Sequence, residues 1–428
     1  MFKWKKWIST LLIGTSLLAV PAGAIAASWT QTLLYGAATM VIVKQSLSKM
    51  DNGQQKQMLA ATQSKTGVVE DGEYSQRLES IKANLEKTGQ IKREYNVYAN
   101  PSKDLNAFET IGGVISFNKG IMDVMDDSEL AFVMSHEMMH GEKHHAIDGV
   151  MKGLAISTAV DVALNGKANA LDILLGTLVV NYIDNEMVTM NQEKEADASG
   201  FEVFKKTDYN VGAAPASMVL VYEKYGDLFS EGWNRVISPN NHPQMTSRIQ
   251  KLGNRVTKWS GNRVQVGGAT VYLNALPVVT PAADGVYSSR RRAYLVAGNL
   301  ARLCHNVYGE AGNDKDFAKK NVKLLSSGTE TWNVGQNGND VVVNDMRVIT
   351  CTANDDGSAI VKSLDTALHA KAAKLPDKEL VKQDTQWLKV NGYKEKKTTV
   401  KDKKAQDTNQ TDKGSDQTSD KTDKTEAA

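Results

Sequence analysis

The chain has 428 residues, of which 41% are hydrophobic and 23% are charged, and its formal net charge at neutral pH is +2. This composition is typical of a globular protein, and the length allows two domains with additional segments. The near-neutral balance, without a basic stripe interleaved with aromatic residues, argues against a nucleic-acid-binding protein.

The N-terminus has the pattern of an export signal. Lys3, Lys5 and Lys6 precede an apolar run from Ile8 to Val20, and the small residues of a cleavage site follow at Ala24-Ile25-Ala26. We therefore expect a cleaved signal peptide over residues 1–26 and a periplasmic protein, with secretion as the second choice. An uncleaved membrane anchor is the alternative, although the apolar run is short for a transmembrane helix.

Helices and then strands are predicted after the signal. Apolar stripes with helical spacing cover Trp29–Met50 and Tyr74–Leu85, and partial alternation over Lys92–Tyr98 indicates a strand. The glycine pair Gly112-Gly113 and the β-branched run after it indicate a strand whose edge another backbone can approach. A protease can bind an extended peptide along such an edge, which makes Gly113, Val114, Ile115 and Ser116 candidate substrate-binding residues. An internal strand of a small sheet is the equally weighted alternative.

The segment His136-Glu137-Met138-Met139-His140 carries the strongest chemical signal. On a helix, the two histidines stack on one face, where their imidazoles can bind one metal ion. Glu137 is placed to take a proton from a metal-bound water. Asp126 and Glu129 are spaced like a capping box at the start of this helix. The alternative is an exposed helix that carries two histidines and an acid by chance.

A catalytic zinc site usually has three protein ligands, so a third one must be found. His144 and His145 are too close in sequence to reach the same ion easily, and His305 and His369 lie in a later part of the chain. A carboxylate is the other usual ligand, and Glu193 and Glu195 follow in the segment Asn191–Gly200.

The remaining segments complete the predicted domain organisation. Leu154–Leu164 and Leu171–Ile183 predict core helices or a helical flap, with peripheral membrane contact as a weaker option, and Pro243 opens a helix that we expect to end near Leu252. Later segments predict a hairpin around Gly267-Gly268, a helix with a basic start over Ser288–Val307, strands at Val341–Val343 and Arg347–Thr352, and a helix over Ala359–Lys371. We expect Cys304 and Cys351 to pair, with buried thiols as the alternative.

These segments divide the chain into four parts. They are the signal peptide, a catalytic domain over residues 27–255, a small α+β domain of unknown role over residues 256–372, and a linker with a disordered charged tail over residues 373–428.

The sequence H-E-M-M-H, followed by E-K-E-A-D-A-S-G, resembles the HtpX-like and CAAX prenyl protease-type zinc endopeptidases. The resemblance extends to Asn106-Ala107-Phe108 with Gly112-Gly113 and to His242-Pro243 with Arg248, and it covers about Tyr74 to Leu252. It departs at Thr189 and Met190, where many members have Ser-Arg. The transmembrane helices of HtpX-type members are not predicted, so the chain resembles a soluble periplasmic branch.

The resemblance implies roles for individual residues. Glu193 becomes the third zinc ligand, since its spacing to Ala196-Asp197 favours it over Glu195, and Asp197 becomes the group that holds a ligand histidine. His242 or Arg248 is implied as the catalytic group that stabilises the oxyanion. His242 could instead occupy the open position of the zinc and keep the enzyme latent, or be structural at the start of its helix.

The expected fold is α+β, with a mainly helical zincin (gluzincin) catalytic domain that contains a small sheet, followed by the small α+β domain and the tail. The expected function is that of a zinc-dependent endopeptidase with one Zn²⁺ per chain, in which Glu137 is the general base for a zinc-activated water. Misfolded or envelope proteins are the expected polypeptide substrates, and no nucleic acid is expected. The alternative is a latent or inactive metallopeptidase-like module that binds unfolded envelope proteins as a chaperone.

Overall fold

The structure is a computed structural model, and it describes residues 29–156, 188–226, 245–312 and 332–393. The predicted signal peptide, residues 394–428 of the predicted linker and charged tail, His242 and most of the two apolar segments that start at Leu154 lie outside the described residues. The rest of the predicted linker contains a helix over Asp377–Val390. Within these ranges the protein is mainly helical with three small sheets, which confirms the predicted α+β class. None of the described helices combines the length and the apolar character that crossing a bilayer requires.

The first part of the chain combines helices with one sheet. Its described helices are α1 Trp29–Gly53, α2 Gln55–Thr66, α3 Gly72–Glu86, α4 Lys119–Met122, α5 Asp127–Glu142, α6 His145–Ile156, α7 Met190–Phe204, α8 Ala213–Tyr225 and α9 Met245–Trp259, and its strands are β1 Asn96–Asn100, β2 Ala107–Thr110 and β3 Val114–Asn118. The helices predicted at Trp29 and Tyr74 are confirmed. Helix α9 continues past the predicted end at Leu252 because Val256 and Trp259 extend its buried face.

The three strands of the first sheet follow the order β1-β3-β2, so β3 is the inner strand. It pairs in parallel with β1 and antiparallel with β2. Both of its edges are therefore occupied, and the prediction that Gly113, Val114, Ile115 and Ser116 form a substrate-binding edge is wrong. The side chains of Val114, Ile115 and Ser116 are fully buried.

The glycine pair before β3 does permit a close approach, but to other parts of the same chain. Gly112 and Gly113 have φ angles of 92° and 64°, which glycine adopts without strain. A Cβ atom on Gly113 would lie 2.5 Å from the carbonyl oxygen of Glu94, and one on Gly112 would lie 2.6 Å from Cβ of Met58 in α2. The pair thus closes the turn into β3 beneath α2.

Helix α5 runs through the interior of this part and packs against α3, α7, α8 and β2. Every residue from Glu129 to Gly141 is buried. The predicted capping box is confirmed, since the backbone N–H of Glu129 donates to Asp126 Oδ1 at 2.9 Å and that of Asp126 donates to Glu129 Oε2 at 3.1 Å. The hydroxyl of Tyr95 donates to the carbonyl of Met138 at 2.7 Å near the other end. The helix is therefore held at both ends.

The later part of the chain contains two antiparallel three-stranded sheets and three described helices. These elements are β4 Val264–Gly267, β5 Thr270–Leu273, β6 Leu276–Val279, α10 Ser289–Tyr308, β7 Val334–Asn337, β8 Asp340–Val343, β9 Met346–Thr350, α11 Gly357–Leu368 and α12 Asp377–Val390. The predicted hairpin around Gly267-Gly268 is confirmed as β4 and β5. The chain to Trp387 forms one compact unit, and a second unit begins at Leu388.

The two sheets are copies of one structural unit, a repeat that is not among the predictions above. Val264 pairs with Leu273 in the first sheet, and Val334 pairs with Val343 in the second. Each middle strand has an irregularity in register at the matching position, between Val271 and Tyr272 and between Val341 and Val342. Matching turns with positive φ follow at Asn274-Ala275 and Asn344-Asp345. Each sheet then leads into a helix, α10 or α11.

The predicted disulfide is wrong. Cys304, in α10, and Cys351, directly after β9, are both buried as thiols. Burial raises the pKa of the Cys351 thiol, and the carboxylate of Asp355 adds to that effect. A neutral thiol in the core is thus favoured over the reactive thiolate.

The basic start of α10 forms a set of buried ion pairs. Arg290 lies 3.1 Å from Asp384, Arg292 lies 2.9 Å from Asp355, and Arg291 lies 2.5 Å from Glu129. The guanidinium of Arg291 donates from Nε and Nη2 to the two carboxylate oxygens of Glu129, and both side chains are completely buried. Since Glu129 belongs to the capping box of α5, this pair fixes the later part of the chain to the start of α5.

We expect Arg291→Met to lower the free energy of unfolding by about 3–5 kcal/mol, because it leaves the Glu129 carboxylate buried without its counter-charge. Urea denaturation of the purified protein measures the change. The double variant Arg291→Met with Glu129→Gln should recover part of the loss, since the unpaired charge is gone. Arg347→Met, at an exposed position in β9, is the control and should change stability by less than about 0.5 kcal/mol. Equal stability of Arg291→Met and wild type would contradict the role of the pair.

Candidate metal centre

Helices α5 and α7 pack side by side and bring the motif histidines next to the acidic segment. The two helices approach closely at Gly200, where a Cβ atom would lie 3.1 Å from both Cα and N of His136. A larger residue at position 200 would force the two backbones apart. Thr189 caps α7 through a capping box with Gln192, which starts the helix four residues before Glu193 reaches the site.

His136, His140 and Glu193 converge in a buried cluster. The Nε2 atoms of the two histidines are 3.1 Å apart. The Glu193 carboxylate places Oε1 3.6 Å from Nε2 of His140 and Oε2 3.7 Å from Nε2 of His136. Each side chain is less than a tenth exposed. Two histidine nitrogens and one carboxylate therefore face a common point inside the protein.

This arrangement fits a bound metal ion. Two imidazole nitrogens bound tetrahedrally to one zinc ion, each at 2.0–2.1 Å, lie about 3.3 Å apart, close to the observed separation of 3.1 Å. Burial lowers the pKa of His140 well below its ordinary value, and the neighbouring His136 adds to the effect. The neutral imidazole, which is the form that binds metals, is therefore favoured.

Asp197 and Arg248 form a second layer behind the cluster. Asp197 Oδ1 is 3.1 Å from Nδ1 of His136. Arg248, in α9, donates to Asp197 from Nε at 2.9 Å and from Nη2 at 2.7 Å, and its Nη1 lies 3.1 Å from Glu193 Oε2. Burial by itself would raise the pKa of Asp197, but Arg248 and His136 outweigh it and hold that pKa well below its usual value. Asp197 is thus ionised, and its carboxylate lies beside the ring nitrogen Nδ1 of His136.

Glu137 lies beside the cluster and is buried. Burial disfavours the charged guanidinium of Arg248, but Asp197, Glu193 and Glu137 together raise its pKa above its ordinary value. The carboxylate of Glu137 is therefore close enough to take part in the charge balance of the site. An acid in this place can exchange a proton with a group bound at the cluster.

The predicted site residues are placed as follows. One buried cluster contains His136, Glu137, His140, Glu193, Asp197 and Arg248. By contrast, Val114, Ile115 and Ser116 lie in the inner strand, Gly113 lies directly before it, and His242 lies outside the described residues. Glu195 contacts Lys143 at 3.1 Å and lies 3.7 Å from His145, so its carboxylate is directed away from the two motif histidines. The guanidinium of Arg248 contacts the carboxylates of Asp197 and Glu193, which differs from its predicted role at an oxyanion.

The sequence predicts that His145 does not bind the same metal ion as the motif histidines, because it lies too close to them along the chain. It is not part of the cluster, but its Nδ1 atom lies 3.0 Å from Nδ1 of His140. The chain turns sharply at His144, which has a φ of 54°, and this turn brings His145 back onto α5. Periodicity within a helix cannot predict such a contact, because it depends on a break in the helix.

Comparison with known proteins agrees with this geometry. Residues 73–256 match the family model of Peptidase family M48. The metalloprotease LoiP of Escherichia coli (strain K12) is 31% identical over 193 residues, which cover 44% of this chain and 72% of LoiP. The chain belongs to peptidase family M48. This M48 chain is also similar to the metalloprotease YcaL of the same strain, with 29% identity over 232 residues that cover 52% of the chain and 84% of YcaL.

A more distant relative is the beta-barrel assembly-enhancing protease of Escherichia coli (strain K12), which is 23% identical over 256 residues. That match covers 55% of this chain and half of the relative. The resemblance to the HtpX-like peptidases and the assignment as a metalloendopeptidase are confirmed by the family.

The contact at Gly200 gives a test of how the M48 site is assembled. Gly200→Ala should lower the free energy of unfolding by about 1–3 kcal/mol and weaken metal binding, because the added methyl pushes α7 and Glu193 away from α5. Thermal unfolding of the metal-free protein and titration with metal measure the two effects. Gly72→Ala, at a helical position where a Cβ meets nothing within 4 Å, is the matched control and should leave both quantities near wild type. If the two alanine variants behave alike, the close contact does not set the site.

Proposed function

We propose that this M48 peptidase is a zinc-dependent endopeptidase in which Glu137 is the general base. The observation that carries the proposal is the buried convergence of His136, His140 and Glu193 beside Glu137. Two imidazoles and one carboxylate are a donor set that zinc takes in hydrolytic enzymes. These three residues would hold the zinc ion, which would supply an acidified water and a polarised peptide carbonyl.

The residues of the chain then have distinct tasks. The carboxylate of Glu137 accepts a proton from the attacking water and delivers it to the nitrogen of the leaving amine. The ionised carboxylate of Asp197, 3.1 Å from Nδ1 of His136, favours the tautomer that carries its proton on Nδ1 and so leaves Nε2 free to bind. Arg248 bridges Asp197 and Glu193 and acts as a positioning residue. Oxyanion stabilisation by His242 stays a prediction from the family resemblance.

Because β3 is the inner strand of the first sheet, we assign substrate binding to one of the outer strands instead. Among the described residues β1 and β2 are the outer strands, and β1 accepts a hydrogen bond at Ala99 from the backbone N–H of Val69 at 2.8 Å. β2 packs directly on α5. We assign to β2 the pairing with an extended peptide, since main-chain hydrogen bonds at a strand edge bind peptides without regard to their sequence.

We further propose that the substrates are misfolded or envelope proteins and that the enzyme acts in the periplasm. The export pattern over residues 1–26 supports the location. The similarity to a beta-barrel assembly-enhancing protease supports the substrate class, because membrane β-barrels are proteins of the outer envelope.

Glu137→Gln should keep the metal and lose hydrolysis of unfolded casein by a factor of about 10²–10⁴, because the amide cannot accept the proton. Zinc content is measured on the same preparation and should equal that of wild type. Glu202→Gln, at a partly exposed position in α7, is the control and should retain full activity. Cleavage by Glu137→Gln at the wild-type rate would rule out the assigned general base.

The same assay separates the enzyme from a chaperone-like module. Wild-type protein should cleave casein, and a zinc chelator should abolish cleavage and allow recovery when zinc is added back. Binding of casein by the zinc-loaded wild-type protein without cleavage would instead support a latent or inactive module.

A further inference from the structure

Next to the metal cluster, His145 makes a contact that the proposed reaction does not use. It opens α6, its side chain is buried, and its Nδ1 atom lies 3.0 Å from Nδ1 of the ligand candidate His140. On its other side, Nε2 of His145 lies 3.7 Å from Oε2 of Glu195. Glu195 in turn lies 3.1 Å from Nζ of Lys143. These contacts form a continuous series of side chains from the metal cluster to the partly exposed Glu195 and Lys143.

The positions of the ring protons along this series of contacts follow from the chemistry of imidazole. Two ring nitrogens 3.0 Å apart can form a hydrogen bond only if one of them carries the proton. His140 directs Nε2 at Nε2 of His136, so its own proton belongs on Nδ1 when Nε2 binds a metal. His140 therefore donates to His145, and the proton of His145 belongs on Nε2, which faces the carboxylate of Glu195.

We propose that His145 is a positioning residue that fixes the tautomer and the ring orientation of His140, with Glu195 supporting it from behind. The inference rests on the proposed metal site. It gives the two histidine ligands different supports, since His136 is held by the ionised pair of Asp197 and Arg248 and His140 is held by a neutral imidazole.

The turn before α6 directs two adjacent histidines in opposite directions. His144 has a φ of 54°, is about half exposed, and contacts Asp51 in α1 at 2.8 Å. The next side chain, His145, points inwards to His140. A histidine that only filled space would not need to present Nδ1 to Nδ1 of a ligand. The contrast also supplies a control, since the neighbouring histidine is outside the metal site.

The test measures the dissociation constant of zinc by competition with a chromogenic chelator, using the whole protein. His145→Asn keeps an acceptor oxygen close to the place of Nδ1, whereas His145→Leu has nearly the same size and no acceptor. We expect His145→Leu to bind zinc about 10–100-fold more weakly than wild type and His145→Asn to recover most of that loss. His144→Asn, which suits the positive φ, should bind zinc as wild type does.

Thermal unfolding of each metal-free variant separates positioning from damage to the fold. If metal-free His145→Leu does not fold, His145→Phe takes its place, because it keeps the ring and lacks the acceptor. Equal zinc affinities for the apolar variant and His145→Asn would overturn the role of His145, and so would an apolar variant that binds as tightly as wild type. Failure of the wild-type protein itself to bind zinc would instead overturn the proposed function.

Discussion

The site depends on the buried guanidinium of Arg248, which lies between the buried carboxylates of Glu193 and Asp197. Glu193 and Asp197 lie one helical turn apart on α7, and both are only about a tenth exposed or less. Two anions in the interior would repel each other and lose their hydration, and one of them would take up a proton if no counter-charge were present. Arg248 contacts both carboxylates and supplies that counter-charge. The candidate metal ligands are thereby oriented without a bound ion.

Helix α5, which carries the two motif histidines, is held from several directions, and each direction involves a different part of the chain. Arg291 fixes its first turn through Glu129, and Gly200 allows α7 to touch its centre. Near its end, the guanidinium of Arg93 contacts Asp51 of α1 and donates to the carbonyl of Gly141. A metal site must hold its two imidazoles and its carboxylate to within about 0.5 Å of the geometry that binds the ion, and this precision requires such support. The later part of the chain therefore contributes to the site through α5, although no predicted ligand lies in it.

The sequence predicts what is local and fails where contacts depend on the tertiary fold. His136 and His140 are four residues apart, and the caps of α5 depend on neighbours, so periodicity and spacing predict them well. The order of strands in the first sheet depends on a parallel pairing between β1 and β3 that no local pattern encodes. The error about the substrate strand follows from this limit, since the glycine pair signals close approach without identifying which backbone approaches.

The contact of His145 with His140 has the same cause, since it requires the left-handed residue at His144. The duplicated sheets are different, because the sequence itself contains their repeat. Identical residues recur 70 positions apart, among them Gly268 and Gly338, Val271 and Val341, and Asn274 and Asn344, so comparison of the chain with itself predicts the repeat. Glu193, by contrast, was reached only through family resemblance, because chemistry left Glu195 equally acceptable. The structure separates the two acids, since Glu193 faces both motif histidines and Glu195 contacts Lys143.

We propose that one metal ion binds between α5 and α7. Anomalous diffraction at the zinc absorption edge from crystals of the zinc-loaded protein locates such an ion. We expect a single strong peak about 2.0–2.2 Å from Nε2 of His136, Nε2 of His140 and an oxygen of Glu193. A peak bound instead by His145 or Glu195, or the absence of zinc from this cluster in crystals that contain it elsewhere, would contradict the account.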